Sequence, residues 1–480
     1  MNIPRIIQGG MGAGVSNWRL ARSAAKAGIM GVVSGTALDL VCARRLQDGD
    51  EDGAMRRALD RFPVPEVARR VMDRFFLPGG RAPGVPYRAK PMVGHRPSQD
   101  AVELLVVANF AEVWLAREGH DGVVGINYLD KIQAPLIPSL YGAMLAGVDV
   151  VTMGAGVPKA VPGVMRRLAS GDRASVPLYV SRVSSDFRPT LDFDPRCIFG
   201  GEAPNLPCPK FLPIVASVVL AKTLMRGAQG CVDGFVVETP RAGGHNAPPR
   251  GWRRGDPATE PTYGPRDSVD FAALSALGLP FWLAGSYGHA GGLQQAREAG
   301  ARGIQVGTLF AFCEESGLSR SLKRRVIDRA AEGTLRVFTD PVASPTGFPF
   351  KVVKLDATSA DEDVFARRPR VCDLGYLREA FETPDGRVDW RCPGEPFRSW
   401  ERKGGAREDA EGRKCLCNGL MANLGMPQLR SDGFQEPPLL TGGDDVERLS
   451  QFLGDGVTRY TAADVVAYLR GESSYVGSAC

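Results

Sequence analysis

His245 is the side chain best suited to do chemistry. It follows Gly243 and Gly244 and stands before Pro248 and Pro249. Imidazole moves protons near neutral pH more readily than any other side chain. The glycine pair carries no Cβ atoms, so a flat ligand can approach the backbone there. The prolines stiffen the chain beyond the histidine. Two further stretches suit an anion. Gly285-Ser286-Tyr287-Gly288 leads through Ala290-Gly291-Gly292 into a helix, and Gln305-Val306 is followed by Gly307-Thr308. Backbone N–H groups in glycine turns, a hydroxyl and a helix N-terminus can hold a dianion without a lysine.

The other histidines are weaker candidates. His95 falls in an irregular stretch, His120 ends a helix, and His289 lies close to the second glycine loop, where it is read as an exposed turn residue. Among the 10 cysteines, Cys372, Cys392, Cys415 and Cys417 are grouped late in the chain. Metal sites usually present C-x-x-C pairs; here there is one C-x-C and two distant singles. Leu416, Leu420 and Met421 place Cys415 and Cys417 at the start of a buried helix, so no metal is expected.

Residues of this kind need a scaffold that brings loops together. The predicted elements alternate. Strands are expected at 5–8, 29–33, 122–127, 148–153, 177–180, 211–216, 232–237, 281–284 and 302–306. Helices are expected between them, including an amphipathic one from Asp100 to Glu118. The strands are short and rich in valine and isoleucine, as parallel strands covered on both faces are. Alternation repeated about eight times over residues 1–330 predicts an α/β fold, a TIM (β/α)8 barrel, with an open doubly wound sheet as the alternative. In a barrel, the loops after strands seven and eight commonly make a phosphate site. Insertions are expected near 40–95 and 184–210. Residues 331–480 break the rhythm. Phe338-Thr339-Asp340-Pro341 and Pro345 to Pro349 read as loops, and Ala462 to Arg470 as a late helix. This part is expected to be an irregular, partly helical C-terminal extension packed on the barrel.

The first loop, Gly9-Gly10-Met11-Gly12-Ala13-Gly14, invites comparison with dinucleotide-binding folds. Its glycines are not spaced G-x-G-x-x-G. Ser34 and Gly35 stand where the ribose-binding carboxylate is expected.

Composition narrows the function class. Of 480 residues, 44% are hydrophobic and 24% charged, as in a globular protein. With 59 basic and 54 acidic residues the formal charge is +5, too small an excess to imply nucleic acid. No apolar run reaches about 18 residues, so no membrane span is expected. A signal peptide is not expected either. Irregular cysteine spacing suits reduced thiols and a cytoplasmic location.

Together, Ala242-Gly243-Gly244-His245, Gly285 to Gly288 and Gln305-Val306-Gly307-Thr308 resemble the nitronate monooxygenase (2-nitropropane dioxygenase-like) family. The resemblance extends over residues 4–330. It is close also to the enoyl reductase component of polyunsaturated fatty acid synthases. It implies an FMN-binding TIM barrel. The phosphate loops would fall on Gly285, Ser286, Tyr287, Gly288, Gly307 and Thr308, and the flavin-facing first loop on Gly9, Gly10 and Met11. Asn127 would match the family's third-strand asparagine, and His245 its histidine. Gly243, Gly244 and Gln305 complete the expected cofactor-binding set. The family's proline–methionine–alanine run is replaced by Gly10-Met11-Gly12, and Asn246-Ala247-Pro248-Pro249-Arg250 follows the histidine. Both departures are closer to the synthase-associated reductases.

The implied function is an FMN-dependent oxidoreductase oxidising a nitronate-type or other small organic substrate with dioxygen. The alternatives are an enoyl reductase with NAD(P)H as electron donor, and a barrel lyase or isomerase that holds a phosphorylated substrate in the same loops with His245 as base. A catalytically silent barrel that binds a partner is a third.

Overall fold

Eight apolar runs form eight parallel strands: β1 (Ile6–Gln8), β2 (Gly31–Ser34), β3 (Val124–Leu129), β4 (Val150–Gly154), β5 (Lys210–Val215), β6 (Phe235–Glu238), β7 (Phe281–Ala284) and β8 (Gly303–Val306). From β2 to β8 each pairs with the next in sequence, and β8 pairs with β1. Backbone bonds from Gln8 N to Met30 O (2.9 Å) and from Met30 N to Ile6 O (3.1 Å) link the two ends of the sheet. The fold is therefore a TIM barrel, seen here in a computed structural model that describes residues 2–181, 187–227, 231–252, 258–453 and 459–472.

Side chains alternate along each strand, and that alternation builds the barrel's inside and outside. Ile7, Met30, Val32, Val150, Leu212, Val236, Trp282 and Ala284 pack together as the interior. Their neighbours Ile6, Val215, Phe235, Val237, Leu283 and Ile304 pack outward against the helices. Trp282 also donates its indole N–H to Pro4 O at 2.9 Å.

Three elements differ from expectation. The helix Gln99–Arg117 is buried almost all round rather than amphipathic. The helices Ala54–Leu59 and Pro65–Phe75, from the insertion after β2, cover its outer face. Its buried carboxylates are answered from there and from the helix Leu38–Gln47: Arg70 grips Glu103 through two bonds, and Arg45 pairs with Glu112 at 2.7 Å. The expected strand at 177–180 does not enter the barrel. Ala174–Pro177 pairs antiparallel with Thr190–Phe193, and Val180–Ser181 pairs with Glu379–Glu382. The insertion expected at 184–210 thus carries a strand and the short helix Arg196–Phe199, while its positions 184–186 lie outside the described residues. The expected loop at Phe338–Pro341 contains most of a strand. β9 (Arg336–Asp340) forms an antiparallel hairpin with β10 (Phe350–Lys354). Alternating Val337, Thr339, Lys351 and Val353 suit such a ribbon, and Pro345 to Pro349 lie in its connection.

This hairpin and several later segments, among them those bearing Tyr376, Leu420 and Thr441, lie over the C-terminal end of the barrel. His245 forms an antiparallel bridge with Phe350, and Lys351 N donates to Gly244 O at 2.9 Å. The β6 loop is therefore tied to β10 by an isolated antiparallel bridge. The helix Leu416–Asn423 packs at the same mouth, and Ala462–Arg470 forms the late helix as expected.

Candidate functional site

The alternation that fills the barrel also decides what faces its mouth. One layer above the apolar interior, the inward positions are Asn127, Gly154, Ile214, Glu238, Ala284 and Gln305, and all six line one cavity of about 230 Å³. Strand register sets them side by side: Asn127 beside Thr152, Glu238 beside Ala284, and Ala284 beside Gln305.

The loops after the strands supply the rest of the wall. Gly9, Gly10 and Met11 enter from β1, Gly243, Gly244 and His245 from β6, Gly285 and Ser286 from β7, and Gly307 and Thr308 from β8. Gly10 has to be glycine, because a Cβ there would sit 2.3 Å from the Asn127 Cβ. The Asn127 side chain accepts a 2.9 Å bond from the Thr152 hydroxyl and reaches Gly10 O with its NH2 at 3.5 Å, so it ties the first loop to β4.

Twelve of the fourteen sequence-predicted site residues meet in this cavity; Tyr287 and Gly288 do not. Tyr287 faces an outer cleft shared with Arg241, Lys351 and Asp444. Gly288 N–H donates to Asp445 Oδ2 at 3.3 Å. Three histidines stay outside the cavity, each bonded to a backbone carbonyl: His95 to Thr190, His120 to Ala116 and His289 to Ala290.

His245 is enclosed by the hairpin. Its ring lies edge-on to Phe350 with centroids 4.8 Å apart, and Phe348 stands beyond at 6.5 Å. Nε2 shares a 2.7 Å hydrogen bond with the fully buried Ser344 hydroxyl. Thr346 Oγ1 lies 2.8 Å from the same hydroxyl and completes a short polar chain. Burial lowers the His245 pKa to about 4, so the ring is neutral near pH 7. It can share a proton with Ser344 but carries no standing positive charge.

Two carboxyl groups were not anticipated from the sequence. Glu238 lies two residues beyond the inward Val236, so it points into the mouth. Burial raises its pKa to about 8, and no charge or hydrogen bond among the described residues answers it. Asp445 arrives from the C-terminal segment. Burial raises its pKa as well, opposed by Arg448 and by the Gly288 N–H. A signal for Glu238 was present: a lone glutamate closing an apolar strand just before a glycine loop. Asp445 carried no such local signal, because it reaches the site only through the tertiary fold.

The C-terminal segments contribute a large share of the wall. Phe350, Tyr376, Cys417, Leu420, Thr441 and Gly442 all line the cavity. Thr441 Oγ1 accepts the Gly244 N–H at 2.8 Å, and Thr308 Oγ1 accepts the Gly443 N–H at 2.9 Å. On the β7 side, Ser286 adopts φ +66°. Its Oγ is shielded from solvent and has no partner among the described residues. A buried hydroxyl of this kind is normally satisfied by something.

The site can do three things. It can lay a flat molecule along backbone rather than side chains. It can offer a free hydroxyl and glycine N–H groups to an oxygen-rich end. It can present a neutral imidazole and a neutral carboxylic acid to a reacting centre. No metal-binding group of three or more His, Cys, Asp or Glu occurs among the described residues, and none of their helices is long and apolar enough to cross a membrane.

Comparison with known proteins bears on the same region. Curated protein sequences offer no match to the chain. Solved structures similar to it over 98% of its length include FabK from Thermotoga maritima, at 15% identity, 92% coverage of that chain and TM-score 0.48. Another is the nitroalkane oxidase from Streptomyces ansochromogenes, at 17% identity, 95% coverage and TM-score 0.42. A third is the enoyl reductase domain of MlnA from Bacillus amyloliquefaciens, at 10% identity, 94% coverage and TM-score 0.45. Residues 210–345 match the nitronate monooxygenase family model. The resemblance to the nitronate monooxygenase family thus lies in the part of the chain that holds β5 to β8 and the loops bearing Gly243, Gly244, His245, Gly285, Ser286, Gly307 and Thr308.

Proposed function

We propose that the chain is an FMN-dependent oxidoreductase that oxidises a nitronate-type or similar small organic substrate with dioxygen at the barrel mouth. The observation that carries this reading is the meeting of glycine loops from β1, β6, β7 and β8 around one cavity, with the unpartnered Ser286 hydroxyl on its wall. The match of residues 210–345 to the nitronate monooxygenase family supports it.

The residues fit the cofactor at its two ends. Gly285, Ser286, Gly307 and Thr308 would hold the phosphate. Gly9, Gly10, Gly243 and Gly244 would lie along the ring system, with Asn127 and Gln305 beneath it. Asp445, close to the Gly288 N–H, opposes a dianion at this end, and burial raises its pKa. Bound FMN supplies electron or hydride transfer. The chain's own residues orient the substrate and manage protons. His245, neutral and steadied by Ser344, accepts a hydrogen bond or a proton from the organic substrate. Glu238, neutral at pH 7, donates a hydrogen bond to an oxygen of a bound anion. Phe350, Leu420 and Tyr376 exclude water.

The enoyl reductase reading is kept because Gly10-Met11-Gly12 departs from the nitronate monooxygenase pattern. Two assays separate the readings. Oxygen uptake with alkyl nitronates and no nicotinamide cofactor is the expected result. Anaerobic reduction of bound flavin by NADH or NADPH and its reoxidation by an enoyl thioester, with no flavin reduction by nitronates, would overturn it.

A further inference from the structure

The four late cysteines are not scattered in space. Cys372 lies in the loop before Glu379–Glu382, Cys392 directly follows the strand Val388–Arg391, and Cys415 and Cys417 flank the first residue of the helix Leu416–Asn423. All four line one small cavity behind the main one, with about 10 Å³ of free space, room for about one water-sized molecule. Leu377, Leu416 and Cys417 wall both cavities.

Within this group, Cys372 and Cys392 form a thiol pair. Both line the same water-sized space, and the Gly394 N–H donates to Cys392 Sγ at 3.4 Å. Cys392 is 6% exposed, whereas Cys372 is only partly buried. The neighbouring Cys392, with help from the Arg378 guanidinium, lowers the Cys372 pKa, while Cys372 and burial raise that of Cys392. A partly exposed thiol with a lowered pKa beside a buried thiol with a raised one is the arrangement of a peroxide-sensitive cysteine with its resolving partner. Cys415 Sγ accepts from Asn418 Nδ2 at 3.5 Å.

We propose that Cys372 and Cys392 form a redox-active dithiol that closes to a disulfide on reaction with a peroxide. In the first step the Cys372 sulfur attacks one oxygen of hydrogen peroxide. An S–O bond forms, the O–O bond breaks, and the departing hydroxide takes up the proton that Cys372 had released. In the second step Cys392 attacks the Cys372 sulfur. The S–S bond forms, the S–O bond breaks, and water leaves with the Cys392 proton. Two thiols and one peroxide give one disulfide and two waters. The site is independent of the flavin chemistry proposed above.

The test uses the full-length protein, reduced and then freed of reductant. It is treated with hydrogen peroxide, alkylated, and digested without reduction for peptide mass spectrometry. The expected result is a loss of two free thiols and one linkage joining Cys372 to Cys392. Cys372 should react about tenfold faster than the exposed Cys197, which serves as the reference thiol. Cys392→Ser should stop the reaction at a sulfenic acid that dimedone traps on Cys372. Equal alkylation of both cysteines before and after peroxide would overturn the proposal, as would a different cysteine pair. Native mass spectrometry showing a metal ion on the reduced protein that must be removed before Cys372 can be alkylated would overturn it too. The wild-type linkage map decides the question even if the variant fails to fold.

Discussion

Burial keeps the His245 ring neutral down to about pH 4, and this sets what the residue can contribute. If it accepts a proton or hydrogen bond from the substrate, His245→Ala should cost about 10²–10⁴ in the half-reaction that consumes the organic substrate. His245→Asn should be nearly as poor. The acid limb of that half-reaction should fall near pH 4 rather than near 6.5, as rapid-mixing kinetics across pH would show. An asparagine variant with the wild-type rate would leave His245 as a structural residue joining the β6 loop to the hairpin. Glu238 is the second residue whose ionisation the fold controls. Its folded pKa of about 8 lies above its ordinary 4.5, so between those values the folded chain holds a proton that the unfolded chain releases. Stability from this group therefore falls as pH rises from about 4.5 to about 8. His245 works in the opposite sense. Its folded pKa lies below its ordinary 6.5, so stability is lost as pH falls from 6.5 towards 4. Glu238→Gln should flatten the alkaline side alone. Urea unfolding midpoints at pH 5 and pH 8 would check this, and an unchanged alkaline slope would remove the buried-acid assignment.

At the scale of elements, the eight strands were legible because each is a short apolar run flanked by helix-forming sequence. The same logic misplaced 177–180. That stretch is apolar enough for a barrel strand, but its pairing with Thr190–Phe193 and Glu379–Glu382 is decided by residues far away in sequence. The helix Gln99–Arg117 misled for a related reason: Glu103 and Glu112 look like solvent-facing charges until Arg70 and Arg45 are seen to cover them. The glycine loops were legible as loops, and twelve of the fourteen residues picked from sequence share the cavity. Gly288 stands apart because Asp445, more than 150 positions away, takes its N–H. Gly307, which begins the loop after β8, gives an element-scale test. Its backbone, at φ −110° and ψ −62°, suits any residue, and a Cβ there would meet only the flexible Met11 side chain, with Sδ at 3.4 Å. Gly307→Asp should therefore fold normally, with wild-type circular dichroism, yet lose flavin through charge repulsion in the partly dry site. Full flavin occupancy in this variant would remove the phosphate assignment.

For the whole molecule, the barrel and the residues after 330 close one cavity together. Sequence predicted the late residues as packing only. Their contribution to the mouth was hidden because Tyr376, Cys417, Thr441 and Asp445 come from four separate irregular or short elements. One buried knot ties these parts together. Lys90, from the insertion after β2, pairs with Asp39 at 2.7 Å, and the Tyr376 hydroxyl donates to the same carboxylate at 2.7 Å. Both charged side chains are almost fully buried. Lys90→Ala would leave Asp39 charged and short of a partner, which should cost about 3–5 kcal/mol. Thermal unfolding should show this as a clear drop in Tm, and an unchanged Tm would show that the pair contributes little to holding the parts together. The central claim, that the mouth they enclose is a flavin site, is tested most directly by the absorption spectrum of the purified protein and of the flavin it releases on denaturation. The expected result is a yellow protein that releases about one FMN per chain, or a colourless protein that takes up one FMN per chain when the cofactor is added. A folded chain that neither carries FMN nor binds it on titration would contradict the account.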